Sequence, residues 1–402
     1  MKLSKLFIST LAIALVGTFA VSCGNKTSGS SSVSSSTPAS STSSSTTSSS
    51  TPTPVVEKKG VATGLGTVIS LASNDTAGIT QINITTAAAS FDEEGKVISV
   101  EFDVVQIPLK IVVEGETSKI VIDSSKKQVK DAGDKLVETK QELLERYGMK
   151  GSSEIGLEAY EQMRNFADYV EGKTIAQVIA HGYTNKGDGS HVYVPSQEEG
   201  KDLAGKVSIT VNDYVAALME AYETKNAYVQ VEKTAVLSTG VGMVFEFNAS
   251  SFQIDAYTAS ITLDQADKIQ GAYVDTLQVP LKLVDGKVAL NATAKQVKEA
   301  GYKVMETKKE LGARYGMYYQ SAVNGVDGAY KVNPNATAEW FEQAKSLENW
   351  LIGQAKTALD FADAEFGEGH ALASKVTITV DGYFSVLKEA ATYAKALPTP
   401  AA

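Results

Sequence analysis

The sequence predicts an α+β protein: two tandem homologous domains, each an antiparallel sheet with packed helices, behind a signal peptide and a disordered stalk. Three observations lead there. A duplication runs through most of the chain, each copy passes from strand-like alternation to helical spacing, and the amino-terminal segment has a composition that cannot build a core.

The duplication organises the rest. Thr63-Gly-Leu-Gly66 returns as Thr239-Gly-Val-Gly242, and residues 81–111 align without a gap on residues 253–283. The strongest match sets ETKQELLERYGM, Glu138 to Met149, against ETKKELGARYGM, Glu306 to Met317. A last one pairs LAGKVSITV, Leu203 to Val211, with LASKVTITV, Leu372 to Val380. Copies of about 170 residues are far longer than solenoid repeats, so each is expected to bury its own core. The domains are accordingly placed at 60–228 and 231–397.

Within a copy, Val97, Ser99, Glu101 and Asp103 interleave with Ile98, Val100, Phe102 and Val104 after an Asp92-Glu-Glu-Gly95 turn, which predicts a hairpin. Residues 125–146 lack proline and are rich in Lys, Glu and Leu, predicting a helix stopped by Gly148; residues 154–171 predict a second, ending at Gly172. A short strand over Val207–Val211 is expected to meet Asn212 as N-cap, followed by a helix with Val215, Leu218 and Tyr222 on one face. Strands first, then helices and one late strand, make an α+β pattern with an antiparallel sheet.

At the start of the chain, Lys2 and Lys5 precede an apolar stretch from Leu6 to Val21 that ends at Ala20-Val21-Ser22-Cys23. At roughly 16 residues it is short for a membrane span and has the form of a secretory signal. Small residues before a cysteine resemble the lipobox of bacterial lipoproteins. That resemblance implies cleavage after residue 22 and a lipid on Cys23, which anchors the chain to the outer face of the cytoplasmic membrane. Cys23 is the sole cysteine, so no intramolecular disulfide and no cysteine-based metal site can form. Residues 23–57 are mainly Ser, Thr, Gly and Pro and predict a disordered linker spanning roughly 30 Å.

The composition also narrows the chemistry. A net charge of −10 without a basic cluster beyond the signal argues against nucleic acid as a partner. The three histidines, His181, His191 and His370, do not recur between copies, and no Walker loop, dinucleotide fingerprint or metal-spacing motif is present. The TGLG and TGVG glycines read as a turn entering a strand in preference to a phosphate cradle. Glu138/Glu142 and Glu306/Glu310, at helical i, i+4 spacing, read as a solvated face.

Duplicated domains with a TKxELxxxYGM helix end, an aromatic helix and a terminal Ser/Thr-alternating segment resemble the flavin-carrying extracellular lipoproteins of Gram-positive electron export, the peptide-pheromone-encoding lipoprotein type, and the related FMN-binding domains. The resemblance covers nearly everything after the stalk. It implies covalent FMN, linked through its phosphate to a Ser or Thr hydroxyl by a flavin transferase. The acceptor pattern Asp-x-x-Ser/Thr-Gly-Ala-Thr falls on Asp202 to Ser208 and on Ala371 to Thr377, with Lys-Val in place of Gly-Ala in both copies and the acid absent at Ala371. Thr377 is thus the first acceptor choice and Ser208 the second, with Thr379 and Thr210 the alternatives if the register is displaced.

Tyr147, Met149 and Tyr214, with their counterparts Tyr315, Met317 and Tyr383, are candidates for the bed of the flavin ring, or else core. Lys206 and Lys375 could attract the phosphate or be surface charges. The function implied is an electron carrier rather than an enzyme with its own substrate, taking electrons from a membrane donor and passing them to extracellular acceptors such as ferric iron. The competing expectation is a surface binding or adhesion lipoprotein whose duplicated modules carry no redox group.

Overall fold

The computed structural model describes residues 57–130, 136–181, 183–185, 193–298, 304–320, 331–333, 335–360 and 370–394. Cys23 and the stalk lie outside these residues. From Glu57 onward the chain forms one compact unit.

The first copy begins with four strands, β1 (Lys58–Asn74), β2 (Gly78–Phe91), β3 (Val97–Glu114) and β4 (Thr117–Ile122), paired as an antiparallel meander. There follow α1 (Lys140–Leu143) with a 3-10 turn over Leu144–Tyr147, α2 (Ala159–Val170), α3 (Ile175–Ile179), the short hairpin β5 (Tyr183–Asn185) and β6 (Tyr193–Pro195), and α4 (Asn212–Thr224). A linking strand β7 (Val229–Glu232) leads into the second copy. This has its own meander of β8 (Leu237–Asn248), β9 (Gln253–Asp264), β10 (Ile269–Val284) and β11 (Lys287–Leu290), then α5 (Lys308–Leu311), β12 (Tyr319–Gln320), β13 (Lys331–Val332), α6 (Trp340–Leu351) and α7 (Asp381–Tyr393). The expected turn is present: the Asp92 carboxylate accepts from Lys96 N at 2.7 Å, and Gly95 takes φ +77°. Asp264 does the same for Lys268 N at 3.0 Å in the second copy.

Alternation along these strands serves two different cores. One face of each meander carries its own helices: α2 and α4 pack on Phe91, Val100 and Phe102, while α6 and α7 pack on Ile261, Leu263 and Val274. The opposite faces meet each other. Ile82, Ile84, Val105 and Ile107 of the first copy join Met243, Phe245, Leu277 and Val279 of the second in a shared apolar cluster. Beyond it the contact becomes polar but stays dry. Thr63 and Thr262 hydroxyls are 2.7 Å apart, Thr239 Oγ1 donates to Ser90 Oγ at 2.9 Å, and Thr239 N donates to Ser99 Oγ at 3.1 Å. β1 pairs with β7, and β11 touches β2 through a parallel bridge from Val288 to Gly78, so the meanders belong to one curled sheet. The mixed α and β character with an antiparallel sheet is as expected; each copy has a helix-side core of its own, and a third core is common to both.

Several local expectations give way. Residues 125–146 are not one helix: Val129 bridges Val137, and Val137 is buried in the shared core, so this stretch is spent on β-type contacts. Helix begins only at Lys140, where Thr139 and Glu142 form a capping box, and it breaks at Leu144, whose φ is +50°. Gly148 ends the following 3-10 turn in the left-handed region, as expected. Residues 207–211 are not paired as a strand. Asn212 is the first residue of α4, with Val211 at the cap position and no side-chain cap bond.

The TGLG and TGVG glycines are neither a turn nor a phosphate cradle; they lie inside β1 and β8. A Cβ on Gly64 would sit 1.9 Å from Ala221 O, and one on Gly66 would sit 1.9 Å from Ala217 O, both on α4. Gly240 and Gly242 stand the same way, with 1.9 Å to Ala390 O and 2.1 Å to Val386 O of α7. The closing helix of each copy therefore lies directly on the backbone of its first strand. Gly66→Ala is expected to destabilise the protein by about 1–3 kcal/mol or more through overpacking, whereas Gly151→Ala, which meets nothing within 4 Å, should be neutral. Thermal melts of the two variants check this, and equal melting temperatures would contradict it.

Candidate functional site

Each copy holds one cavity between its last helix, its sheet and the YGM segment, and the two occur at equivalent places. The first, about 440 Å³, is lined among others by Thr85, Lys140, Met149, Ser208, Thr210 and Tyr214. The second, about 460 Å³, is lined by Tyr257, Lys308, Met317, Trp340, Thr377 and Thr379, with Tyr383 at its base. All four hydroxyls singled out from sequence thus border a cavity, as do both methionines. Thr377, Thr379 and Thr210 are exposed and Ser208 is half-buried, so all are within reach from solvent.

The segment carrying the hydroxyls is placed by one buried glutamine. Gln162 on α2 and Gln343 on α6 are both 0% exposed. Gln162 Oε1 accepts from Ser208 N at 2.8 Å, Ile209 N at 3.1 Å and Ser208 Oγ at 3.3 Å. Gln343 Oε1 accepts from Thr377 N at 2.7 Å, Ile378 N at 3.1 Å and Thr377 Oγ1 at 3.2 Å. Their amide nitrogens donate to Leu157 O at 3.2 Å and Ala338 O at 2.9 Å. Extended backbone without a ladder partner needs other acceptors for its N–H groups, and the glutamines supply them.

A buried glutamate does the same for the YGM turn. Glu158, at the N-cap of α2, accepts from Met149 N at 2.8 Å and Lys150 N at 2.9 Å. Glu339, at the N-cap of α6, accepts from Met317 N at 2.9 Å, Tyr318 N at 2.8 Å and Tyr319 N at 3.0 Å. The turn is also tied at its other end. Glu138 meets Arg146 in a two-pronged pair at 2.8 and 2.9 Å, and Glu306 meets Arg314 at 2.8 Å. These acids are therefore not a solvated helical face: Glu138 is buried ahead of the helix, and Glu142 and Glu310 close the capping boxes of α1 and α5.

Lysines place positive charge at the cavities, and Lys206 and Lys375 fall on the surface-charge side of the two readings made of them. Lys206 and Lys375 are exposed and do not line the cavities. Lys140 and Lys308 do, at the first position of α1 and α5. Burial pushes the Lys140 ammonium down to about 8, against the raising effect of Asp103 and Asp213. Lys308 is lowered likewise by burial, opposed by Asp255 and Asp275. Each lysine also faces the tyrosine of the RYGM turn. Lys140 Nζ is 5.1 Å from the Tyr147 ring centre, with Lys127 at 4.8 Å; Lys308 is 5.3 Å from Tyr315, with Lys295 at 4.4 Å. Tyr147 and Tyr315 thus stand behind the lysines, outside the cavity linings. The repeated Glu-Thr-Lys triplet was the available signal for Lys140 and Lys308; reading the stretch as a plain amphipathic helix hid it.

The two cavities differ in what they offer an aromatic ligand. In the second, Trp340 Nε1 donates to Tyr383 Oη at 3.0 Å, and Tyr257 stands edge-on to Tyr383 with ring centres 5.4 Å apart. The matching positions in the first copy are Ala159, Tyr214 and Thr85. Gly382 leaves room for Tyr257, since a Cβ there would approach its ring to 3.3 Å. Its counterpart is Asp213, which receives a 3.3 Å hydrogen bond from Ser70 and is raised by burial. Tyr214 and Tyr383 are core residues that also line the cavities.

Among the described residues no cluster of His, Cys, Asp and Glu is suited to a metal, and no helix is long and apolar enough to cross a membrane. No protein-family model matches the chain, and no solved structure shows significant similarity to it. A stretch of 97 residues, 24% of the chain, is 41% identical to a chlorophenol reductase of Desulfitobacterium hafniense, and spans 29% of that protein.

The Glu138–Arg146 pair makes stability depend on pH. Arg146 holds the Glu138 carboxyl below its ordinary value of 4.5, with burial opposing and Lys130 assisting. A carboxyl depressed in the folded state contributes its full stabilisation above the ordinary value and loses it as pH falls through the lowered one. Glu138→Gln is expected to cost about 1 kcal/mol at pH 7, modest because Arg146 is exposed, and progressively less below about pH 4. Melts at both pH values test this; a penalty that does not shrink in acid would exclude the ion pair as its source.

Proposed function

We propose that the chain is a membrane-anchored extracellular electron carrier with one FMN esterified in each copy, at Thr377 in the second and Ser208 in the first. One observation carries the reading: hydroxyls chosen from sequence border a ligand-sized cavity in both copies, each with a lysine and a methionine in its wall. Volumes of about 440 and 460 Å³ lie within the range of roughly 300–1,000 Å³ usual for small-molecule sites.

The residues fit such a group. Tyr257, Trp340, Tyr383 and Met317 offer the second cavity an aromatic and thioether wall for a planar ring. Lys308 and Lys140, beside the positive ends of α7 and α4, favour a phosphate near the hydroxyls. Attachment would proceed on FAD with a flavin transferase: the Ser or Thr oxygen bonds to the flavin-side phosphorus, the pyrophosphate P–O bond breaks, AMP leaves and the hydroxyl proton passes to solvent. Bound FMN supplies one- and two-electron chemistry; the protein supplies tethering, exposure and a local field. The partial likeness to a chlorophenol reductase adds a redox protein among the chain's relatives.

In this reading, Cys23 carries the lipid and residues 23–57 form the tether. Electrons come from a membrane quinol or flavin donor and leave to ferric iron or another external acceptor, the mobile tether raising local concentration at both. Purified protein co-expressed with a flavin transferase is expected to be yellow, with intact mass raised by two FMN increments. Thr377→Ala combined with Thr379→Ala removes one increment, and Ser208→Ala with Thr210→Ala removes the other. A colourless product of unmodified mass would leave the alternative, a twin-module binding or adhesion lipoprotein without a redox group.

A further inference from the structure

The geometry points to Gln162 and Gln343 as positioning residues that select which hydroxyl is esterified: Ser208 rather than Thr210, and Thr377 rather than Thr379. The inference rests on the flavin reading and adds to it the group that presents the acceptor.

The four candidate hydroxyls all border the cavities, and the two in each copy are separated by a single residue. Exposure does not single out the first hydroxyl of either pair: Thr377 and Thr379 are both exposed, and Thr210 is more exposed than the half-buried Ser208. Hydrogen bonding does. Only the first hydroxyl of each pair, with its own backbone N–H, is held by the glutamine carbonyl, and that carbonyl is fixed in turn by its amide nitrogen. The arrangement recurs in the two copies with distances agreeing to 0.1 Å for each equivalent bond to the carbonyl.

The count of bonds suggests how this suits an acceptor. An amide oxygen has two lone pairs, yet three donors converge on each glutamine. The two backbone N–H groups make the shorter bonds, and the hydroxyl makes the longest in both copies, 3.3 and 3.2 Å. The hydroxyl proton points at the glutamine, which leaves the oxygen lone pairs for an incoming phosphorus. Esterification releases that proton and removes the weakest of three contending bonds, leaving the carbonyl satisfied by two backbone donors. The same glutamine therefore holds the segment before and after modification. A neutral amide does not take the proton, so a transferase must supply the base.

The test is residue-resolved. Full-length chain, produced with a flavin transferase and FAD, is digested and the adduct at each hydroxyl is quantified by mass spectrometry. Gln343→Met keeps side-chain volume but removes the carbonyl. It is expected to lower the adduct at Thr377 about tenfold, the scale of one lost hydrogen bond in a rate, with part of the remainder on Thr379. Ser208 in the same molecule keeps its adduct and reports that folding and transferase are intact. Gln162→Met should show the converse, and Gln343→Glu, which restores an acceptor oxygen, should recover modification at Thr377. A wild-type level at Thr377 in Gln343→Met overturns the inference while leaving the flavin reading standing. Loss of both adducts in Gln343→Met, without the reciprocal selectivity in Gln162→Met, overturns it too, since the effect would then be global. A wild-type chain bare at every hydroxyl defeats the parent reading, and this one with it.

Discussion

The contact on which the rest depends is the seating of a helix on bare backbone. Gly64 and Gly66 let α4 approach β1 until helix carbonyls lie where side chains would otherwise be, and Gly240 and Gly242 do the same for α7 on β8. That approach fixes the helix along its strand. In the first copy, Gly64 lies under Ala221, Gly66 under Ala217, and Ser70 reaches Asp213 at the helix start. The chain just ahead of each helix therefore arrives at one spot on the sheet, bringing Ser208 and Thr377 to the cavity edge. A small residue in a strand thus has a consequence for a cavity wall at the far end of a helix.

Around that seat, polar groups compensate for irregular backbone. The YGM turn and the hydroxyl-bearing segment have no ladder partners, so their N–H groups are received by Glu158 and Gln162 in one copy, and by Glu339 and Gln343 in the other. Both acceptors belong to one helix and its N-cap, α2 or α6, so a single rigid element aligns the two walls of the cavity. Buried polar side chains with satisfied partners specify geometry more sharply than apolar packing, because each bond has a direction.

Duplication has not left the two sites alike. The second copy joins a tyrosine to a glycine, Tyr257 with Gly382, where the first has Thr85 with Asp213. Trp340 and Ala159 extend the difference. The second cavity has three aromatic rings in its wall where the first has Tyr214 with the carboxyls of Glu154 and Asp213, so identical groups held in them would experience different fields. Joined through the shared core and the Thr63–Thr262 and Thr239–Ser90 contacts, these unequal halves belong to one folded body.

The sequence by itself determined the duplication, the hairpins and the left-handed stop at Gly148, because each is written in a short stretch or in the match between two stretches; the hydroxyls that border the cavities were reached only through the family resemblance. It did not reveal that Ser99, Glu101 and Asp103 are buried, since a polar face looks the same whether water or the rest of the fold covers it. Nor did it distinguish a glycine that makes a turn from one that admits a helix, as both lack a Cβ for reasons set by partners distant in the chain. Gln162 and Gln343 were indistinguishable from helix-surface residues until the fold carried a segment with unpaired N–H groups past them. Local pattern decides which elements form; which faces are covered, and which polar groups must answer one another, is decided only when distant parts of the chain close together.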